Sequence, residues 1–158
     1  MPLFYGFSNH VIDVKLRLAI PAKFRVQLDP QLDTRLISVP WPTGHLRLYT
    51  ERDFEAMVAP ASRTLLTLES ETTLLRSLFP YIERLEMDSA GRVTFTKEQM
   101  EMTGLTHSVR VAGMQQFLEV GNVPDKAVVL AEFQGLPAVI KAERDRTALE
   151  SQPDRAAR

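Results

Sequence analysis

Cysteine is absent from the 158 residues, which removes disulfides, thiolate nucleophiles and Cys-ligated zinc together. No apolar run approaches the ~18 residues of a membrane helix, so no membrane association is expected. Histidine is scarce: His10, His45 and His107 are scattered without paired spacing, and they predict surface or packing roles and no metal site. The chain also lacks a G-x-S-x-G elbow and a glycine-rich phosphate loop after a strand. His10 and Asp13 are close in sequence but have no placed nucleophile. These absences predict no catalytic residue, no cofactor and no small-molecule substrate. Met1-Pro2-Leu3-Phe4-Tyr5 carries no basic segment ahead of an apolar stretch, which predicts no secretory signal and a cytoplasmic location. A large excess of one charge is missing as well. Nineteen basic and twenty acidic residues leave a net −1, so the chain is no bulk polycation that coats nucleic acid.

What is present is core-forming material. Hydrophobic residues make up 44% of the chain, enough for one domain or for two small ones sharing a core. The charge is unevenly spread. Residues 1–25 hold Lys15, Arg17, Lys23 and Arg25 against Asp13, a local net +3, whereas residues 51–71 have a local net −3. This pattern fits either ordinary surface mixing or a basic face on an acidic body.

From Ile12 to Ile20, apolar residues alternate with others: Ile12, Val14, Leu16, Leu18 and Ile20 share one parity. That period of two predicts a half-buried strand. Pro21 suits the first turn of a short helix over Ala22 to Leu28. Strands are predicted at 35–39 and 45–49, joined through the turn-forming Pro40-Trp41-Pro42-Thr43-Gly44 as a hairpin that Trp41 anchors on the core. Thr50 is the N-cap of a helix over 51–58, and 62–79 reads as a second helix interrupted near Ser70. The order then repeats. A strand is predicted over 81–87, followed by Asp88-Ser89-Ala90-Gly91-Arg92, with Val93 and Phe95 resuming the parity. Thr96 and Gln99 form a capping-box pattern for a helix over 97–103 that Gly104 ends. Short strands follow at 109–111 and 117–120. Beyond them, helices are predicted over 123–133, closed by Gly135, and over 138–149, opened by Pro137.

Asp13–Arg17 and Asp88–Arg92 stand 75 positions apart, at equivalent places in the same succession of elements. One Asp-x-x-x-Arg match is nearly worthless. Two in matching contexts predict an internal duplication.

Phe4-Tyr5-Gly6, Asp13 through Arg25, Leu48-Tyr49 ahead of an acidic, aromatic helix, Leu85 through Arg92, Gly104-Leu105 and Val109 to Glu119 resemble the MraZ family of bacterial transcriptional regulators. The resemblance covers about residues 1–122. It implies an α+β fold with a mainly β core, two tandem AbrB-like repeats forming a swapped-hairpin barrel with flanking helices. The implied organisation is a first repeat at 1–60, a connecting helix at 61–80, a second repeat at 81–122, a C-terminal helical segment at 123–150 and a disordered tail at 151–158. It further implies a regulator of the division and cell-wall gene cluster, acting as a homo-oligomeric ring. Its partner would be double-stranded DNA, at short direct repeats upstream of its own operon, on the nucleoid. Carried over by position, the DNA-facing surface comprises Lys15, Arg17 and Arg92, with Lys23 and Arg25 beside the first segment. The chemistry of these side chains agrees: the arginine fork matches guanine O6 and N7, and lysine supplies a mobile point charge. Asp13 and Asp88 are expected to cap turn amides or orient their arginines, since a carboxylate repels phosphate. Gly91 permits a left-handed backbone.

The family has glycine before the arginine in both repeats, whereas this chain has Leu16 in the first. Leucine disfavours positive φ, which predicts a differing or strained first loop, or a continuous strand with Lys15 and Arg17 on its solvated face. Leu16, the near-neutral charge and the C-terminal segment outside the resemblance keep an alternative open, an oligomeric structural or interaction protein on the same fold that has lost specific DNA recognition.

Overall fold

The alternation that sets the longer strands is visible in β3 (Arg35–Trp41) and β4 (His45–Thr50). Leu36, Leu46 and Leu48 enter one core cluster, and Ile37, Val39 and Tyr49 enter another. Successive side chains leave a strand on opposite faces, so this pair is apolar on both sides and is covered on both. The architecture is that of a computed structural model, which describes residues 2–59 and 69–151. It is α+β with a mainly β core.

The remaining elements of the first half are β1 (Phe7–Val11), β2 (Arg17–Ala19), α1 (Ala22–Arg25) and α2 (Glu51–Val58). After α3 (Glu69–Leu78) and one 3-10 turn (Phe79–Tyr81) come β5 (Glu83–Glu86), β6 (Arg92–Thr94), α4 (Lys97–Thr103), β7 (Ser108–Gly113) and β8 (Leu118–Asn122). Six strands form one antiparallel sheet in the order β1-β7-β8-β4-β3-β5, and β2 pairs with β6 in a separate two-stranded ribbon. Exchanging β1 with β5, β3 with β7 and β4 with β8 leaves the sheet order unchanged when it is read from the other edge. The first strand of each half thus lies against the other half.

Several expectations are corrected. The sheet has two free edges, β1 and β5, and does not close into a barrel. The single strand over Ile12–Ile20 is broken: β1 ends at Val11, a turn occupies the next residues, and β2 begins at Arg17. Parity cannot register a turn whose own residues keep the alternation. The first helix stops at Arg25, and the strand expected over 81–87 is trimmed to β5 by the 3-10 turn before it. The hairpin is tighter than 40–44 implied. Trp41 pairs with His45, and Gly44 at φ +87 donates its N–H to the Trp41 carbonyl (3.0 Å), closing a three-residue loop. Trp41 packs on the second cluster. Of the helix expected over 62–79, residues 62–68 lie outside the described residues, as do 152–158 of the expected tail.

The N-caps follow the sequence. Thr50 and Thr96 accept from the N–H groups of Asp53 (3.2 Å) and Gln99 (3.1 Å), and Gly104 ends α4 at φ 66. The Gln99 side chain does not complete a capping box. It is buried, taking the Ser38 hydroxyl (2.9 Å) and donating to the Ser38 and Tyr81 carbonyls (3.0 and 2.8 Å).

Residues 1–123 and 124–158 are separate compact units. The second contains one helix, α5 (Lys126–Glu150), capped by Asp125, rather than the two expected. Pro137 lies inside it. Running through a proline sacrifices one or two hydrogen bonds, whereas ending and restarting the helix would expose four amides and four carbonyls more.

Candidate nucleic-acid interface

An aspartate followed by two turn residues and a residue able to take positive φ closes a tight loop, because the carboxylate substitutes for missing backbone acceptors. Both Asp-x-x-x-Arg segments do this in the same way. In the first, the Asp13 N–H donates to the Arg17 carbonyl (3.0 Å) and the Leu16 N–H to the Asp13 carbonyl (2.9 Å). Asp13 Oδ1 accepts from the Lys15 and Arg17 amides (2.9 Å each), and Oδ2 accepts from Arg17 Nε (2.7 Å). In the second, Asp88 N–H donates to the Arg92 carbonyl and Gly91 N–H to the Asp88 carbonyl (2.9 Å each). Asp88 Oδ1 accepts from the Ala90 and Arg92 amides (2.9 Å each), and Oδ2 from Arg92 Nε (2.8 Å).

Leu16 adopts φ 62 where Gly91 has φ 74. The first loop therefore keeps its shape despite the leucine. A left-handed leucine costs ~1–2 kcal/mol, and the Leu16 side chain recovers part of that by packing against the main core. Val14 and Leu16, which parity placed together, part company: Val14 is 91% exposed, the most exposed large apolar side chain among the described residues.

The two loops are tied to each other through β2 and β6. Arg17 faces Thr94 and Ala19 faces Arg92 in the antiparallel register. Ile20 N–H donates to the Gly91 carbonyl and Phe95 N–H to the Leu16 carbonyl (2.9 Å each). Leu18 and Val93 fill the buried face of this ribbon, so Arg17 and Arg92 leave its other face together. In each arginine the aspartate occupies Nε, and the two terminal nitrogens make no hydrogen bond among the described residues. Each arginine side chain is about one-third exposed, at 32% for Arg17 and 38% for Arg92, with its guanidinium held by one edge.

Both carboxyls are held below the ordinary aspartate range. The largest cause is the hydrogen bond from the backbone N–H of Arg17 to Asp13 and of Arg92 to Asp88; desolvation opposes it, and the guanidinium adds to it. They stay ionised, as anchors rather than proton donors.

The loops differ in what the frame displays. Lys15 sits in the first where Ala90 sits in the second. Arg25, which sequence placed beside the first segment, reaches the second: its Nη1 donates to the Ala90 carbonyl (3.4 Å). A Cβ built on Gly91 would lie 2.3 Å from that nitrogen, the movable end of a flexible side chain, so it is the positive φ that calls for glycine here. Each loop thereby carries its aspartate–arginine pair and one further cation. Lys23 points elsewhere, donating to the Phe7 carbonyl with its ammonium 5.2 Å from the Phe24 ring centre. At the positions matching Lys23 and Arg25 the second half has Glu98 and Met100. Sequence reasoning passed over Val14, because alternation disguised it as a core residue; alignment with the exposed Ser89 of the second segment was the signal that reveals it.

No profile of a known protein family matches the chain. Individual relatives do. A protein of Chromobacterium violaceum named Transcriptional regulator MraZ is 35% identical over 124 residues, covering 76% of this chain and 81% of that protein. The chain belongs to the MraZ family. Similar MraZ regulators occur in Herpetosiphon aurantiacus, 28% identical over 137 residues with 83% and 89% of the two chains covered, and in Bordetella pertussis, 29% identical over 140 residues with 87% and 96% covered. The relatives share the name of a regulator of transcription.

No described helix is long and apolar enough to cross a membrane, and no group of three or more His, Asp or Glu among the described residues could hold a metal ion.

Proposed function

We propose that the protein is a sequence-specific DNA-binding transcriptional regulator built from two AbrB-like repeats. On this reading it acts in the cytoplasm on the nucleoid, binding short direct repeats upstream of its own operon in the division and cell-wall gene cluster. The observation that carries the reading is the pair of matched loops on one ribbon face, each presenting a carboxylate-oriented arginine whose terminal nitrogens have no hydrogen-bond partner among the described residues. A two-stranded ribbon fits the major groove of B-DNA, where arginine pairs with guanine O6 and N7. Asp13, Asp88 and Gly91 orient the loops; Lys15 and Arg25 supply phosphate contacts, and Lys23 adds charge at the margin.

A single ribbon with two arginines binds weakly. A homo-oligomeric ring engaging successive repeats multiplies that affinity through effective concentration, which lets a chain of net −1 hold DNA. The alternative, a scaffold that has lost DNA recognition, rests on Leu16, on the near-neutral charge and on the C-terminal segment that the resemblance does not cover; the left-handed φ of Leu16, which keeps the first loop in the shape of the second, favours the DNA-binding reading over it.

Fluorescence anisotropy of the upstream DNA against a scrambled duplex, at two salt concentrations, tests the reading. The expected result is preferential binding that weakens with salt, with Arg17→Ala and Arg92→Ala each costing about 1–3 kcal/mol. Equal, weak binding to both duplexes by the wild type would overturn it in favour of the scaffold.

A further inference from the structure

The two loops share a frame but differ at their tips, with Val14 in the first where Ser89 stands in the second. We infer that Val14 is a specificity-determining residue that reads the 5-methyl group of thymine in the major groove, and that the first loop therefore discriminates bases which the second does not. This inference rests on the DNA-binding reading above.

Three observations carry it. Val14 is 91% exposed, and an isopropyl group left in water on a hydrogen-bonded loop contributes nothing to the core. It lies between Asp13, which anchors the loop, and Lys15, whose amide the Asp13 carboxylate holds, so its backbone is fixed by the held residues on both sides. Its β-branched side chain has restricted χ1 freedom and loses little entropy on contact. The cations Lys15 and Arg17 on the same loop favour a polyanion over an apolar protein surface as its occupant. The thymine methyl is the one apolar feature on the base edges of the major groove, where small apolar side chains meet it. Ser89 at the matching place can face any base edge. A ribbon with identical tips would read a site equally well in both orientations; unlike tips give the chain a polarity on DNA, as direct repeats require.

The test uses the full chain and duplexes selected by the wild type from a random pool. Each thymine of the selected site is replaced singly by deoxyuridine, which lacks only the 5-methyl group. The expected result is one position per repeat where the replacement weakens wild-type binding about fourfold, the equivalent of ~0.8 kcal/mol for one buried methyl. Val14→Ser should bind both versions of that duplex alike, and Val14→Ile should keep the discrimination. Ser89→Val should create a second sensitive position. If no deoxyuridine duplex differs from its parent, or if Val14→Ser retains the sensitivity, the inference fails while DNA binding stands. It also fails if Val14→Ser changes the oligomer by light scattering without altering the deoxyuridine response, since Val14 is then a subunit contact. If selection yields no preferred sequence and Arg17→Ala changes nothing, the DNA-binding reading itself has failed.

Discussion

Leu16 concentrates the local physics of the first loop. It has a left-handed backbone that leucine disfavours and a side chain half-sunk in the main core. Leu16→Gly removes strain of ~1–2 kcal/mol and forfeits packing of about the same size, so stability should change little and DNA affinity should stay within about twofold, because the loop already has its working shape. Leu16→Ala keeps the strain and loses the packing, so it should be the less stable of the two by chemical denaturation. A large gain of affinity in Leu16→Gly would mean that the first loop is impaired after all. At the same scale, Asp13 and Asp88 have folded pKa values below their unfolded ones. Their contribution to loop order is therefore complete above the unfolded value of about 4 and is lost as pH falls through the lower folded value. By NMR, the amides of Lys15, Arg17, Ala90 and Arg92 should be constant from neutral pH down to roughly 4.5 and should shift together below it. Asp88→Asn should abolish the response in the second loop alone.

Among the elements, α4 shows most clearly how packing redirects a side chain. The Thr96–Gln99 spacing is that of a capping box, and Thr96 does cap the helix. The Gln99 amide instead lies buried beneath β3, at the position that Phe24 fills in the first half. There it joins α4 to Ser38 and to the Tyr81 carbonyl. Gln99→Leu would leave the Ser38 hydroxyl and two carbonyls without these partners, and should destabilise by about 2–4 kcal/mol in urea unfolding. Ser38→Ala added to it should cost less than the sum of the two single changes. Helix starts and stops were legible from Thr50, Thr96 and Gly104, since capping is decided within four residues. Strand ends were not, because a turn such as 13–16 can preserve the alternation that reports a strand.

For the whole molecule, every buried residue among those described lies before Asn122, and α5 has none. A chain ending at Val123 should therefore unfold cooperatively, with a Tm within about 3 °C of the full protein, roughly what ~1 kcal/mol produces in a domain of this size. A much larger loss in calorimetry would mean that the second unit supports the first. The six-stranded order, in which β1 lies beside β7 and β5 beside β3, joins the halves so that neither carries a complete sheet alone. Separate expression of 1–60 and 81–122 should accordingly yield no folded monomer by circular dichroism.

By itself the sequence determined what local chemistry determines: the Thr50 and Thr96 caps, the existence of the hairpin, the two Asp-x-x-x-Arg segments and the candidate cations. Each depends on residues within a few positions of one another. Tertiary structure alone decided which half each element serves. Arg25 belongs to the second loop, Gln99 to β3, Val14 to solvent, and the two arginines to one face of a ribbon made from strands 75 positions apart. Val14 aside, these are contacts of high sequence separation, and neither periodicity nor spacing carries information about the partner that such a side chain meets across the core.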